Sequence, residues 1–151
     1  MTVRSFTILI ALVFTLPQYA ASQMIETPNV YSTLVHGFPQ AVKANGFLFL
    51  SGQVGWDKEY KLTGKGSFED QAQQSFKNIE LILREEGQTM DQVVHLRIFV
   101  TEMSIANKKT VNALIRRYFS ENYKPTTSLI GVKALARDEL MIEIEAIAKT
   151  N

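Results

Sequence analysis

Two helical segments, each set between strand-like segments, most constrain how this chain can fold. Ser67 followed three residues later by Asp70 is typical of a helix start, and apolar residues then recur at helical spacing as far as Leu83. A second helical pattern covers residues 106–119. Strand-like segments precede, separate and follow the two helices, at residues 40–43, 47–51, 92–101, 127–134 and 140–148. The order β-β-α-β-α-β-β predicts an α+β fold, a single mixed β-sheet with two helices packed on one face.

Turn and surface signals refine this pattern. The Asn45-Gly46 pair predicts a hairpin between the first two strands, because both residue types tolerate a positive φ. Residues 23–37 are polar and mixed, and we expect them to form an N-terminal strand or arm. With both helices on one face, the other face of the sheet is left uncovered, and an exposed apolar sheet face predicts assembly.

The first 22 residues have the layout of a secretory signal peptide. Arg4 precedes an uncharged, mostly apolar run over residues 6–16, and small residues stand at positions 20–22. The run is shorter than the roughly 20 residues of a membrane-spanning helix, which disfavours a membrane anchor. We therefore expect residues 1–22 to be removed. Residues 23–151 should form one domain, exported to the periplasm or outside the cell, with no stable membrane association.

Composition excludes several classes of function. Residues 1–22 hold one basic residue and no acidic one, so the rest of the chain carries 15 basic and 15 acidic residues. This balance argues against a nucleic-acid partner. The chain has no cysteine, which excludes a thiol nucleophile and a zinc-thiolate site. His36 and His95 have no partners at ligand spacing, so we expect no metal, and the absence of a phosphate-binding loop leaves no cofactor indicated.

Two short motifs carry a resemblance to a known family. They are Ser51-Gly52-Gln53-Val54-Gly55 and Glu143-Ile144-Glu145-Ala146-Ile147-Ala148, each in a strand-like segment. Together they resemble the RidA family, also called YjgF, and the resemblance extends from Phe38 to Ala148. It implies a homotrimer whose sheets meet around a central barrel, with clefts between subunits that bind a small-molecule ligand. It also implies hydrolysis of imines and enamines.

The resemblance implies roles for four positions. The backbone at Gly52 would help to hold a substrate carboxylate, and Glu143 would position the attacking water. Asn112 would lie near the ligand, and Phe38 stands where family deaminases often carry a tyrosine. Three of them have a plainer alternative: a glycine bulge that ends a strand for Gly52, a subunit-interface salt bridge for Glu143, and a solvent-facing side chain for Asn112. The Phe38 ring could still form a cleft wall. Glu145 is expected to belong to the salt-bridge class.

The fifth position, Thr127, departs from the family pattern. Family deaminases carry a substrate-binding arginine after a Pro-Ala pair, whereas this chain reads Pro125-Thr126-Thr127. Threonine offers one hydroxyl and no charge, so it cannot grip a carboxylate with two parallel hydrogen bonds. Lys133 lies roughly 20 Å further along the strand and Arg137 is further still. Neither is expected to replace the arginine within its own subunit, which leaves a neighbouring subunit as the alternative.

Two hypotheses of function follow. In the first, the protein is exported, binds small ligands in clefts between subunits, and hydrolyses C=N or enamine compounds that are neutral or cationic, not small 2-imino acids. In the second, it is a non-catalytic ligand-binding or chaperone-like protein on the same scaffold, as the residues at Thr127 and Phe38 suggest. A ribonuclease activity, also attached to the family, is disfavoured by the balanced charge.

Overall fold

The computed structural model describes residues 22–150, so the predicted signal peptide lies, except for Ser22, outside the described residues. The strands and helices are β1 Gln23–Ile25, β2 Ala41–Ala44, β3 Phe47–Val54, α1 Phe68–Glu85, β4 Val93–Val100, α2 Ile105–Tyr118, β5 Thr126–Gly131 and β6 Ile142–Lys149. The predicted order is confirmed, with β1 added at the N-terminal end. No helix in this part of the chain is long and apolar enough to cross a membrane.

All six strands form one sheet in the order β1-β2-β3-β6-β4-β5. β4 and β5 run parallel, and every other neighbouring pair is antiparallel, so the predicted mixed sheet is confirmed. The last strand, β6, lies between β3 and β4 at the centre of the sheet. The C-terminal motif is thereby placed beside the N-terminal one, since Val54 is the register partner of Glu143.

The core lies between the sheet and α1. Alternate residues of β6 are fully or almost fully buried (Ile142, Ile144, Ala146, Ala148), and so are Phe76, Ile79, Ile82 and Leu83 of α1. Burying one such large aliphatic or aromatic side chain contributes about 1.5–3 kcal/mol. The helix begins where predicted, because the Ser67 side chain accepts a hydrogen bond from the Asp70 N–H at 3.4 Å. α2 packs beside α1, with the Tyr118 and Phe76 rings stacked at 5.1 Å.

The predicted hairpin joins β2 to β3. Ala44 pairs with Phe47, and the two residues between them, Asn45 and Gly46, have φ angles of 49° and 80°. Two successive positive φ angles match the right-handed twist of the flanking strands. The sequence pair therefore fixes the register of the whole β2–β3 ladder.

The N-terminal segment is a short strand followed by an arm that one buried glutamine holds in place. Gln40 is fully buried, and its amide nitrogen donates to the carbonyl oxygens of Val30 and Tyr31 at 3.1 and 3.0 Å. Its amide oxygen accepts from the Thr27 N–H at 2.7 Å. These bonds satisfy backbone groups that lie outside the β-strand pairing, and they fix the position of Tyr31 over the end of β3.

The sheet face away from the helices carries large side chains that are exposed in the single chain. Phe49 is 46% exposed and Ile130 is 37% exposed. Arg97 of β4 and Glu145 of β6 form an ion pair at 2.7 Å on the same face. This is the uncovered face that the sequence pattern predicts.

Candidate functional site

A cavity of about 550 Å³ opens where the N-terminal arm, the end of β3 and the loop before β6 meet. Its wall combines aromatic and apolar side chains (Tyr31, Phe38, Val54, Trp56, Leu140) with polar ones (Thr33, His36, Arg137, Glu143), and Gly52 and Ala136 complete it. Three of the five predicted site residues, Phe38, Gly52 and Glu143, therefore lie in one cavity.

Gly52 lies at an irregularity of the sheet and against the carboxyl group of Glu143. The β3–β6 register shifts between Leu50 and Gln53, which marks a bulge at the intervening residues. A Cβ atom at Gly52 would overlap the Oε1 atom of Glu143 and lie 2.6 Å from its Cδ atom. Any side chain at position 52 would therefore displace the carboxyl group of Glu143. The strand bulge and the cavity wall, posed as alternatives by the sequence, coincide at this residue.

Glu143 is a half-buried carboxyl group with no basic partner in the described part of the chain. Burial raises its pKa above the usual value, and the nearby charge of Glu145 raises that pKa further. A carboxyl group with a raised pKa can both accept and return a proton during a reaction. Glu145 differs, because Arg97 of the same chain pairs with it.

Tyr31 ties the end of β3 to the arm, and no local motif in the sequence marks it. Its hydroxyl oxygen accepts a hydrogen bond from the Val54 N–H at 3.2 Å and lies 3.5 Å from the Gly52 carbonyl oxygen, to which it donates. Burial raises the pKa of Tyr31 to about 12; the hydrogen bond from Val54 acts in the opposite direction, and the charges of Glu143 and Tyr60 add smaller increases. The phenol therefore stays protonated at neutral pH, and it holds the backbone beside the carboxyl group.

Phe38 lies at the rim of the cavity, where it is 44% exposed. Its ring centroid is 6.3 Å from that of His36, so the two rings form one edge of the opening. The resemblance implies a tyrosine hydroxyl at this position, which phenylalanine lacks. The phenol in this cavity wall comes from Tyr31 instead.

Arg137 lies in the cavity wall with Gly52 and Glu143, a place that its expected distance from Thr127 did not indicate. Its guanidinium carbon is 5.3 Å from the centroid of the Trp56 ring. The chain leaves the sheet after Gly131 and re-enters it at Ile142, so the loop between β5 and β6 carries Arg137. An arginine at this position favours an anionic ligand, which weighs against a neutral or cationic one.

Asn112 and Thr127 lie apart from this cavity within the single chain. Asn112 is exposed on α2. Thr127 is exposed on β5, an edge strand, and its hydroxyl donates to the Pro125 carbonyl oxygen at 3.3 Å. Their place at a cleft between subunits stays a prediction. Within residues 22–150 no group of three or more His, Asp or Glu side chains is arranged to hold a metal ion.

Comparison with known proteins matches this arrangement to one family. A family model described as endoribonuclease L-PSP matches residues 31–150. A RutC family protein of Aquifex aeolicus is 39% identical over 127 residues, which cover 82% of this chain and 97% of that protein. A protein of Dermatophagoides farinae named 2-iminobutanoate/2-iminopropanoate deaminase is 29% identical over 73% of this chain and 83% of its own length.

Solved structures give the same result. The crystal structure of a conserved Rid family protein from Yersinia pestis has a TM-score of 0.78 and 34% sequence identity, covering 86% of this chain and all of that one. The strand order and the two helices are thus those of a known fold. The chain belongs to the endoribonuclease L-PSP family, which is the RidA or YjgF family.

Proposed function

We propose that this protein hydrolyses small imines, or enamines through their imine tautomers, in the cavity that holds Gly52 and Glu143. The observation that carries the proposal is a carboxyl group of raised pKa, with no basic partner in residues 22–150, set against a glycine in an aromatic-walled cavity. The relative from Dermatophagoides farinae, named as an imine deaminase, supports the same reaction class.

The chemistry follows from one carboxyl group that moves a proton twice. Ionised Glu143 accepts a proton as the water oxygen bonds to the carbon of a protonated imine, which gives a carbinolamine. The carbinolamine nitrogen then takes that proton from Glu143, and the C–N bond breaks to release ammonia. The hydroxyl proton passes through Glu143 to the ammonia, so a carbonyl product and ammonium leave. The backbone near Gly52, held by Tyr31, would orient the reacting group.

The test is hydrolysis by the purified protein, measured as ammonia release from freshly generated imines. We expect Glu143→Gln to lower kcat by about 10²–10⁴-fold, the usual contribution of a general acid–base group. Glu145→Gln is the matched control on the same strand face, and it should retain most of the activity. Equal activity of the Glu143→Gln variant and the parent protein would exclude this mechanism.

If no imine is hydrolysed, the alternative takes its place: a non-catalytic ligand-binding or chaperone-like protein on the same scaffold. The lost hydroxyl at Phe38 and the lost charge at Thr127 motivate that alternative. Retention on RNA at moderate salt would instead indicate the nucleic-acid contact that the balanced charge disfavours.

Small 2-imino acids are not the preferred substrates in this proposal, because Thr127 cannot form the paired hydrogen bonds of an arginine. Thr127→Arg should raise kcat/KM for 2-iminopropanoate by tenfold or more, in line with the roughly 1.5–3 kcal/mol of a hydrogen bond to a charged group. Thr126→Arg, one residue earlier on the other face of β5, is the control. A parent protein as active as the Thr127→Arg variant would contradict this assignment.

The working form in this proposal is an exported homotrimer with a central barrel. The exposed Phe49 and Ile130 support burial of the open sheet face between subunits, and exposed Thr127 on an edge strand suits a cleft shared with a neighbour. The layout of residues 1–22 supports export to the periplasm or outside the cell. Sedimentation measures the number of subunits and tests the homotrimer. N-terminal sequencing of the exported protein tests export and the removal of residues 1–22.

A further inference from the structure

Arg137 is a cation held in the cavity wall on an aromatic surface. Its guanidinium carbon lies 5.3 Å from the centroid of the Trp56 ring, and both residues line the cavity with Glu143. Cation–π attraction uses the face of the guanidinium and leaves its N–H groups available to a ligand. The stacked pair can therefore present a fork of donors to an anion that enters the cavity.

Helix α1 fixes both members of the pair through buried amides. The Gln71 side chain donates to the Glu139 carbonyl oxygen and accepts from the Met141 N–H, each at 3.0 Å, which anchors the loop that carries the arginine. The Asn78 side chain donates to the Trp56 carbonyl oxygen at 3.0 Å. Both amides are fully buried, so the stack is positioned by the core of the protein.

Two polar side chains of this wall, those of Arg137 and Thr33, lack a partner in the described part of the chain. Within residues 22–150, Arg137 forms no ion pair, in contrast to Arg97, which pairs with Glu145. The Thr33 hydroxyl, also in the wall, is buried and has no hydrogen-bond partner there. A guanidinium group without an ion-pair partner in a cavity wall is available to an anionic ligand.

The remaining wall suits a planar, apolar group. The Tyr31 ring meets the Trp56 ring edge-on at 5.3 Å, and Leu140 and Phe38 extend the apolar surface. The volume of about 550 Å³ falls within the roughly 300–1,000 Å³ of sites for drug-sized ligands. Such a cavity is larger than an imino acid of three or four carbons requires.

We propose that Arg137 binds the carboxylate of a 2-imino acid with an aromatic side chain, and thereby takes the anion-binding role that Thr127 cannot fill. The aromatic group lies along Trp56 and Tyr31, and the C=N carbon lies toward Glu143. The imine identity of the ligand rests on the proposed function. The carboxylate site at Arg137 does not, because it follows from the stacked pair and the wall.

Binding can be measured apart from catalysis, because Trp56 is the only tryptophan of the chain and lines the cavity. The probe is 3-phenylpropanoate, followed by tryptophan fluorescence and by titration calorimetry, with 3-phenylpropan-1-ol as its uncharged counterpart. We expect Arg137→Met to weaken binding of the acid by about tenfold or more, the usual effect of losing a charged hydrogen bond. Lys133→Met removes a cation of the same loop outside the cavity wall and should leave the affinity unchanged.

Two outcomes would overturn this inference: equal affinity of the Arg137→Met variant and the parent protein for the acid, or equally tight binding of the alcohol. Hydrolysis of 2-imino-3-phenylpropanoate gives the second readout. Arg137→Met should raise KM for this acid with little change in kcat, whereas Glu143→Gln should lower kcat. If the probe binds through Arg137 and no imine is hydrolysed, the anion site stands and the proposed reaction fails.

Discussion

Glu143 and Glu145 lie two residues apart on one face of β6, yet their surroundings differ completely. Glu145 lies on the open part of the sheet, where Arg97 pairs with it at 2.7 Å. Glu143 lies two residues earlier on β6, and its carboxyl group lies against Gly52. Burial raises the pKa of this carboxyl group. The comparison teaches that residue type and strand position do not decide the role of a carboxyl group. The neighbouring strands decide it.

The difference between the two glutamates can be tested by filling the space beside Glu143, and this change should have the largest effect on activity. Gly52→Ala should displace the carboxyl group and lower kcat/KM by about 10²-fold, because a shift of about 1 Å at a reacting group costs this much. Gly131→Ala is the control, since a Cβ atom there would lie 3.8 Å from Met103, an ordinary contact. Full activity of Gly52→Ala would mean that the contact with Glu143 has no part in the chemistry.

A smaller effect is expected in the pH dependence of stability. The folded state raises the pKa of Glu143 above 4.5, so ionised Glu143 destabilises the fold at pH values above that raised pKa. Glu143→Gln should therefore raise the melting temperature at pH 7–8, and the gain should disappear as the pH falls below 4.5, where the carboxyl group is neutral in both states.

Thermal unfolding between pH 3.5 and pH 8 measures this difference. Glu145→Gln should show no such gain at neutral pH, because it loses the ion pair with Arg97. A Glu143→Gln variant that is less stable than the parent at pH 8 would indicate that the ionised carboxyl group has a stabilising partner.

The smallest effect is expected from the ion pair itself. Arg97 and Glu145 have side chains that are 47% and 38% exposed, so solvent screens their attraction. A double-mutant cycle with Arg97→Ala and Glu145→Ala should give a coupling free energy of about 0.2–1 kcal/mol in urea unfolding. A coupling well above this range would show that the open sheet face is covered in solution.

The elements of the fold could be predicted because each has a local cause. Ser67 caps the first helix, and the Asn45-Gly46 pair turns the chain between two strands. The cavity is different, since three separate segments form it. Gly52 and Glu143 could be proposed because each stands in a family motif, and the β3–β6 pairing then brings them together.

The rest of the cavity depends on buried amides whose effect no local pattern reveals. Gln40 holds the arm that carries Tyr31, Asn78 holds the backbone of Trp56, and Gln71 holds the loop that carries Arg137. A glutamine or asparagine in a helical or strand pattern is usually solvent-facing. Only the folded chain distinguishes these three from their exposed counterparts.

The overlap between residue 52 and the carboxyl group of Glu143 also limits the order in which this site can change during evolution. While position 143 keeps its long side chain, any side chain at position 52 displaces the carboxyl group, so glycine persists there as long as the chemistry needs that group in place. Once position 143 becomes small, that steric restriction ends. A lineage that abandons the chemistry would therefore lose the glutamate first and the glycine afterwards, and a larger residue at position 52 would mark a site already out of use.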